Sequence, residues 1–274
     1  MVRDVTAALD VLPPVTYPLP RHDLLVAHLP DVLSRAREVA AASPVVRLSD
    51  IRLLSPVANP GKLVAAPVNY TSHAAEVRDN PALHNNNPAL MVTIHTAGVF
   101  LKATSSLIGP GEGIVVRMSD RRTDPEVELA CVVGRRASRV SSADALDYVA
   151  GYAIGLDVTI RGPEDRSFRK SVDTYSVLGP WLVTADEVGD PRSLDLELSI
   201  NGERRQQSNT RLMTLGVAEL IELASSFYTL EPGDVIFTGT PEGVSPIVPG
   251  DRIVATIEKI GSMEVRVSGD PAEP

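Results

Sequence analysis

The segment Asp124-Pro125-Glu126-Val127-Glu128-Leu129-Ala130-Cys131-Val132-Val133-Gly134 changes character halfway along, from three carboxylates to an apolar run. Read as a strand from Glu126 to Val133, it puts Asp124, Glu126 and Glu128 on one face and Val127 and Leu129 on the other. Pro125 limits how far the ladder extends. Carboxylates two residues apart on one face repel, and a strand that runs on into an apolar core cannot leave them all facing water. A bound cation resolves that conflict; a solvated strand end is the plainer alternative.

A second segment favours the cation. The apolar run Val149 to Leu156 reads as another buried strand, and it delivers Asp157 into the interior. Glu126, Glu128 and Asp157 are therefore the candidate metal ligands. Oxygen donors with no His or Cys nearby suit magnesium, manganese or calcium rather than zinc or copper.

The chain of 274 residues is 43% hydrophobic, enough for one large globular domain with a small appendage. A net charge of -9 with mixed signs, and no dense Lys/Arg block, argues against nucleic acid as a partner. Cys131 is the single cysteine and lies in the apolar run, which points to a buried, inert thiol. With no apolar signal core at the start and no membrane-length apolar segment, the expectation is a cytoplasmic protein that does not engage a membrane.

In chain order, the Pro-rich residues 1–20 are expected to be extended. His22 to Ala41 has helical spacing, with Pro30 opening a second helix. Val45 to Leu48, then Ile51 and Leu53, suggest short strands, so that residues 1–60 form a small N-terminal region and 61–274 the main domain. Leu63 to Val68 reads as a buried strand. Beyond it, Thr71 or Ser72 caps a short helix that sets His73 and Glu76 on one face, either as a surface pair or as a general base with its orienting carboxylate. Asn85 to Asn87 reads as a loop flanked by His84 and His95. Lys102 sits among apolar neighbours, where it either snorkels or binds a carboxylate.

Arg161 follows Asp157 with strand parity. With Glu164, Lys170 and Lys102 it is either plain surface or the polar rim of an anion site. Trp181, after Gly179-Pro180, reads as core. Asn201-Gly202 marks a type I′ hairpin, and Val217, Leu220, Ile221 and Ala224 an amphipathic helix. Gly239-Thr240-Pro241 forms a turn able to offer amides and a hydroxyl to an oxyanion, and Ser268 to Pro274 is expected to be a disordered tail. There is neither a GxGxxG nor a phosphate loop. The preponderance of strands after Lys62 predicts a mixed, β-rich α+β fold. The polar inventory fits metal-assisted chemistry on a small, oxygen-rich acid.

Several motifs occur in a telling order: Asn69-Tyr70-x-x-His73-x-x-Glu76, Asp124-x-Glu126-x-Glu128-Leu129, Val149-Ala150-Gly151-Tyr152 leading to Asp157, Lys170-Ser171-x-Asp173-Thr174, Gly179-Pro180-Trp181, Asn201-Gly202-Glu203 and Pro232-Gly233-Asp234-x5-Thr240-Pro241. Together they resemble the fumarylacetoacetate hydrolase family from about Lys62 to Val267. The resemblance implies a mixed β-sandwich roll, usually dimeric, with magnesium or manganese on Glu126, Glu128 and Asp157. It implies His73 as water-activating base, Glu76 as its orienter, and Arg161, Lys170 and Thr240 as substrate and oxyanion contacts. Glu164 stands where some carbon-carbon hydrolases of the family have Gln, which places the leaving-group side of the site in question. The implied reaction is hydrolysis of a 1,3-diketo acid such as an acylpyruvate or a fumarylacetoacetate-like compound. The alternatives are decarboxylation or isomerisation of a related 2-oxo acid, and a metal-binding homologue without catalysis.

Overall fold

The structure, a computed structural model, describes residues 1–85, 87 and 91–270. The strands in chain order are β1 (Val2–Arg3), β2 (Val45–Val46), β3 (Leu63–Ala65), β4 (Phe100–Lys102), β5 (Leu107–Ile108), β6 (Ile114–Val116), β7 (Thr123–Asp124), β8 (Val127–Val133), β9 (Val149–Asp157), β10 (Thr159–Ile160), β11 (Ser176–Thr184), β12 (Asp195–Ile200), β13 (Glu203–Asn209), β14 (Val235–Phe237), β15 (Arg252–Ile257) and β16 (Gly261–Gly269). A seven-stranded mixed sheet, ordered β4-β3-β14-β8-β9-β11-β5, faces a five-stranded sheet ordered β13-β12-β15-β16-β6. The helices are α1 (Leu24–Ala27), α2 (Leu29–Ala40), α3 (Thr71–Asp79), α4 (Pro81–His84), α5 (Ile94–Ala97), α6 (Arg166–Lys170), α7 (Ala185–Val188) and α8 (Val217–Phe227), of which α2 and α8 are the longest of those described. This is the β-rich α+β roll expected from the sequence.

Strand parity decides what faces what. On β8, Val127, Leu129, Cys131 and Val133 enter the core between the two sheets with Leu196, Leu198, Ile253 and Ala255. Ala130 and Val132 point the other way, into a second cluster with Ala153, Phe237, Val26 and Val57. Glu126 and Glu128 share the parity of that second face, and Asp157 shares it with Ala153 on β9, which runs antiparallel to β8 with Glu128 opposite Gly155. Gly155 leaves space for a neighbour, since a Cβ there would lie 2.8 Å from the Phe237 ring. Cys131 is buried and unpaired, and burial pushes its thiol up, as expected of an inert core cysteine.

The N-terminal region is fastened to this sheet by Asp23 N, which donates to Pro232 O (2.9 Å), and by Val26 and Val57 in the second cluster. The Asp23 carboxylate caps α1 at Val26 N (3.0 Å) and accepts from Asn59 N (3.0 Å). Fully buried Asp234 accepts from the Lys62 and Glu231 amides, at 2.7 and 2.8 Å, and pairs with Lys62 Nζ at 2.7 Å. Pro30 lies in the first turn of α2, as its place in the sequence predicts.

Several local expectations are corrected. Residues Thr6–Val11 form a 3-10 helix rather than extended chain: Ala7, Ala8 and Leu9 precede the first proline, and Ala8 is buried. Leu48–Asp50 is a 3-10 turn, and Ile51 and Leu53 form no strand: Leu53 O accepts from Gly111 N (2.9 Å), which lies in a turn. Trp181 is 40% exposed; it lies where the β11–β9 register shifts between Gly179 and Val183, which turns the ring outward, with Nε1 donating to Ile260 O at 2.9 Å. Ser268 and Gly269 belong to β16, paired with Val115 and Val116, so the expected tail begins later; residues 271–274 lie outside the described residues. The Asn201-Gly202 hairpin appears as predicted, both residues having positive φ (54° and 84°), and so does α8. Of Asn85 to Asn87, Asn86 lies outside the described residues; Asn85 ends α4 in the left-handed region.

Candidate active site

The ligand atoms of Glu126, Glu128 and Asp157 all lie within 4.8 Å of one another, and all three side chains are buried. Their second-face parity aims them into a cavity whose wall also includes His73, Arg161, Arg166, Arg169, Lys170 and Thr240. Lys170 Nζ donates to Glu126 (2.8 Å), Asp157 (2.6 Å) and Thr159 Oγ1 (2.6 Å), which uses all three of its N–H bonds. Arg161 donates to Asp124 (2.7 Å) and Glu126 (2.6 Å) and keeps further N–H groups in reserve. Asp124 is thus an anchor for Arg161 and for Arg122 (2.8 Å), set apart from the other two acids by the break in the strand at Pro125.

The electrostatics split the acids. Burial opposes the charge on Glu126, but Lys170 and Arg161 outweigh it and hold this carboxyl below the ordinary range. Burial pushes Glu128 well up, and the nearby Asp157 charge adds to the rise; among the described residues its one hydrogen-bond donor is Gly239 N at 2.7 Å. A buried oxygen cluster in which one member cannot comfortably hold its charge fits a hard divalent cation, whose charge would let all three ionise. Lys102 is buried, its Nζ donating to Asp157 and to Tyr175 O (2.7 Å), so it braces Asp157 and lies outside the cavity wall. Burial lowers its pKa, and Asp157 opposes that shift.

His73 rises from α3, which follows the strand end at Ala65. Tyr70 is the cap residue and offers no side-chain bond; of the two expected caps, Thr71 is the first helical residue and Ser72 Oγ instead donates to Glu242. Asn69 fixes the approach through Leu215 O (2.8 Å) and Thr238 O (2.7 Å). His73 Nδ1 lies 2.9 Å from Glu76 Oε2, and Glu76 Oε1 accepts from Gly243 N at 3.0 Å. A carboxylate oxygen can only accept, so Nδ1 is the donor in this contact and Nε2 is the ring nitrogen directed elsewhere. The turn that receives α3 needs glycine at 239, where φ is +94° and a Cβ would stand 2.6 Å from Asn69 Cβ.

Two expected contacts are placed differently. The Thr240 hydroxyl donates to Val127 O (2.9 Å) and accepts from Gln206 Nε2 (2.8 Å), so its proton is committed. Its backbone N–H makes no hydrogen bond among the described residues. Glu164 lies outside the cavity wall in a two-pronged pair with Arg121, at 2.9 and 2.7 Å. Sequence reasoning missed Gln206, which ties β13 to Thr240, and the cavity residues Arg166 and Arg169, because an RSFRK turn of helix looks like surface. His84 is buried and His95 exposed; neither is in the cavity wall.

The profile described as the fumarylacetoacetate (FAA) hydrolase C-terminal domain matches residues 62–268. The chain belongs to the fumarylacetoacetate hydrolase family. Among its relatives in that family is a maleylpyruvate hydrolase of Aquipseudomonas alcaligenes, 54% identical over 266 residues that cover 97% of this chain and 93% of the relative. The crystal structure of maleylpyruvate hydrolase from Sphingobium sp. SYK-6 in complex with manganese(II) and pyruvate is 36% identical, with a TM-score of 0.81 over 97% of this chain and 92% of that one. More distant is 5-carboxymethyl-2-hydroxymuconate delta-isomerase from Mycobacterium smegmatis, 35% identical with a TM-score of 0.66 over 82% and 83% of the two chains. The match therefore spans the cavity, both sheets and the three converging acids.

Proposed function

We propose that the protein is a divalent-metal-dependent acylpyruvate hydrolase whose substrate is maleylpyruvate or a close analogue. The observation that carries this is buried His73, held by half-buried Glu76, in the wall of a cavity that also holds three converging carboxylates. The 54% identity to a maleylpyruvate hydrolase over nearly the whole of both chains supports the substrate. Glu126, Glu128 and Asp157 are the metal ligands in this reading. The ion is magnesium or manganese, supported by the oxygen donor set and by manganese in a relative's crystal structure.

When bound, such an ion acts as a Lewis acid toward the oxygens of a 1,3-dicarbonyl. The chain does the rest. His73 Nε2 takes a proton from water while Glu76 holds Nδ1–H, and the hydroxide so formed adds to the acyl carbonyl carbon. The bond from that carbon to the pyruvyl methylene then breaks. The electron pair leaves as the enolate of pyruvate, and the proton on His73 returns to its carbon, giving maleate and pyruvate from maleylpyruvate and water. Arg161, with N–H groups to spare, and the uncommitted Thr240 amide are placed to bind oxygens that gain charge; Lys170 contributes its charge at short range, since its donors are taken. Lys102 serves the substrate indirectly by positioning Asp157, and Glu164 by shaping the rim.

The isomerase likeness supports a second reading, enolisation without water attack, and oxo-acid decarboxylation would likewise need no water. The His73–Glu76 pair favours hydrolysis over both. Residues 1–60 act as a fastened appendage to the catalytic domain of residues 61–274. A homodimer is supported by the family resemblance and by Leu48, Ile51 and Trp181, exposed apolar side chains around one cleft. A cytoplasmic location rests on the lone cysteine, which can form no intrachain disulfide; no helix among the described residues is long and apolar enough to cross a membrane. The deciding experiment is turnover of acylpyruvates in oxygen-labelled water. Label in the released acid is expected; carbon dioxide or an unlabelled isomer as the main product refutes hydrolysis.

A further inference from the structure

Among the cations of the cavity wall, Arg166 stands out. Arg161 and Lys170 are bound to carboxylates, and Arg169 donates to Glu164 O (2.8 Å) and Ile160 O (3.3 Å). Arg166 makes no hydrogen bond or ion pair among the described residues, although it is half-buried and burial lowers its pKa. An unpaired guanidinium held partly out of water is costly unless an anion comes to it. The acids whose charges act on it are already engaged, Asp165 by the Ser167 amide at 2.8 Å and Glu126 by Arg161 and Lys170.

The segment bearing Arg166 is also built to stay in place. Arg121 grips Glu164 with two bonds and donates to Arg161 O at 2.8 Å, and Arg169 holds Glu164 O from the other side. Gly162 makes the grip possible, since a Cβ there would lie 1.7 Å from Arg121 Nη2. Glu164 is thereby neutralised, and Arg166 is the group on this segment left to meet a ligand. Arg161 is locked beside Glu126, so its spare donors serve the metal end of a substrate. Arg166 touches no metal-binding acid, and Val68, Val77 and Leu83 supply apolar wall for an acyl chain.

We infer that Arg166, positioned by the Arg121–Glu164 clamp, is a specificity-determining residue that binds a second carboxylate at the far end of the acyl group, so that the enzyme selects diacid acylpyruvates over monoacid ones. The inference rests on the acylpyruvate reading above and adds to it the residue that reads the acyl end. Charge agrees: the cavity wall carries four cations against three carboxylates, and a divalent ion makes it a strongly positive host for a dianion. Arginine suits the task because its planar fork takes a carboxylate with two parallel bonds.

The test compares wild type with Arg166→Gln and Arg166→Lys, loaded with manganese, on maleylpyruvate and on acetylpyruvate, which has a methyl group in place of the distal vinyl carboxylate. Arg166→Gln should lower kcat/KM for maleylpyruvate by about 10- to 100-fold, mostly through KM, the size expected for losing a charge-assisted contact. For acetylpyruvate the change should stay within about threefold, and Lys should restore part of the loss. An equal fall on both substrates, or none on the diacid, overturns the inference. Calorimetry with maleate and cis-crotonate, which differ by one carboxylate, gives a readout without turnover. Wild type should bind maleate at least about 10-fold tighter, and Arg166→Gln should erase that preference; a preference that survives overturns the inference. If wild type cleaves no acylpyruvate, the proposed function fails, while the calorimetry still decides the role of Arg166.

Discussion

His73 is the only imidazole among the described residues of the cavity wall, and its Nδ1 is committed to Glu76, so no neighbour stands ready to replace it as a base. His73→Ala should lower acylpyruvate cleavage by about 100- to 10,000-fold, the usual worth of a placed general base, with unchanged circular dichroism. An effect below tenfold would point to chemistry that needs no activated water. The three acids predict a different signature. Crowded carboxylates, one pushed up by burial and by its neighbour, are relieved when a divalent ion binds the folded state. At 100 times its dissociation constant, manganese should therefore stabilise the wild type by about 2.7 kcal/mol, read as a rise in melting temperature. Glu126→Ala and Asp157→Ala should abolish the rise. Full activity of metal-stripped protein in the presence of chelator would remove the ion from the account.

At the scale of elements, β8 and β9 act as a pair whose alternation sends apolar residues one way and acids the other. The pairing leaves little slack, because Gly155 sits across from Glu128 with the Phe237 ring where a side chain would go. Gly155→Val should destabilise the protein by about 1 to 3 kcal/mol through overpacking, measured by urea unfolding, and should weaken manganese binding as Glu128 shifts. A variant with wild-type stability and metal affinity would show that this crossing is softer than its contacts imply.

The whole molecule depends on joints between regions distant in sequence. Asp234 accepts two backbone amides and the Lys62 ammonium at the point where the N-terminal region meets the seven-stranded sheet. Asp234→Ala leaves those half-buried donors without their acceptor and should cost about 1 to 3 kcal/mol, seen as a lower denaturant midpoint at unchanged slope. Sedimentation should show a dimer at micromolar concentration. A fully active monomer would assign the exposed Leu48, Ile51 and Trp181 cleft to something other than self-association.

The sequence by itself determined the acid-bearing face of the strands, the His73–Glu76 pair, the Asn201-Gly202 hairpin and α8, because each depends on spacing within one short segment: period two on strands, three residues on a helix, two positive-φ residues in a turn. It also carried the family, through motifs whose order survives any fold. What it could not determine were interactions between segments far apart in the chain. Trp181 reads as core until the register shift between Gly179 and Val183 turns it outward. Glu164 reads as a substrate contact until Arg121, 43 positions earlier, is found bound to it. Thr240 reads as a hydroxyl donor until Val127 O takes its proton. Arg166 carries no signal in the sequence, and folding places it in the cavity wall. A side chain's type is written in the chain, but whether its charge or proton is already spent depends on which neighbour folding brings beside it, and only the tertiary structure decides that.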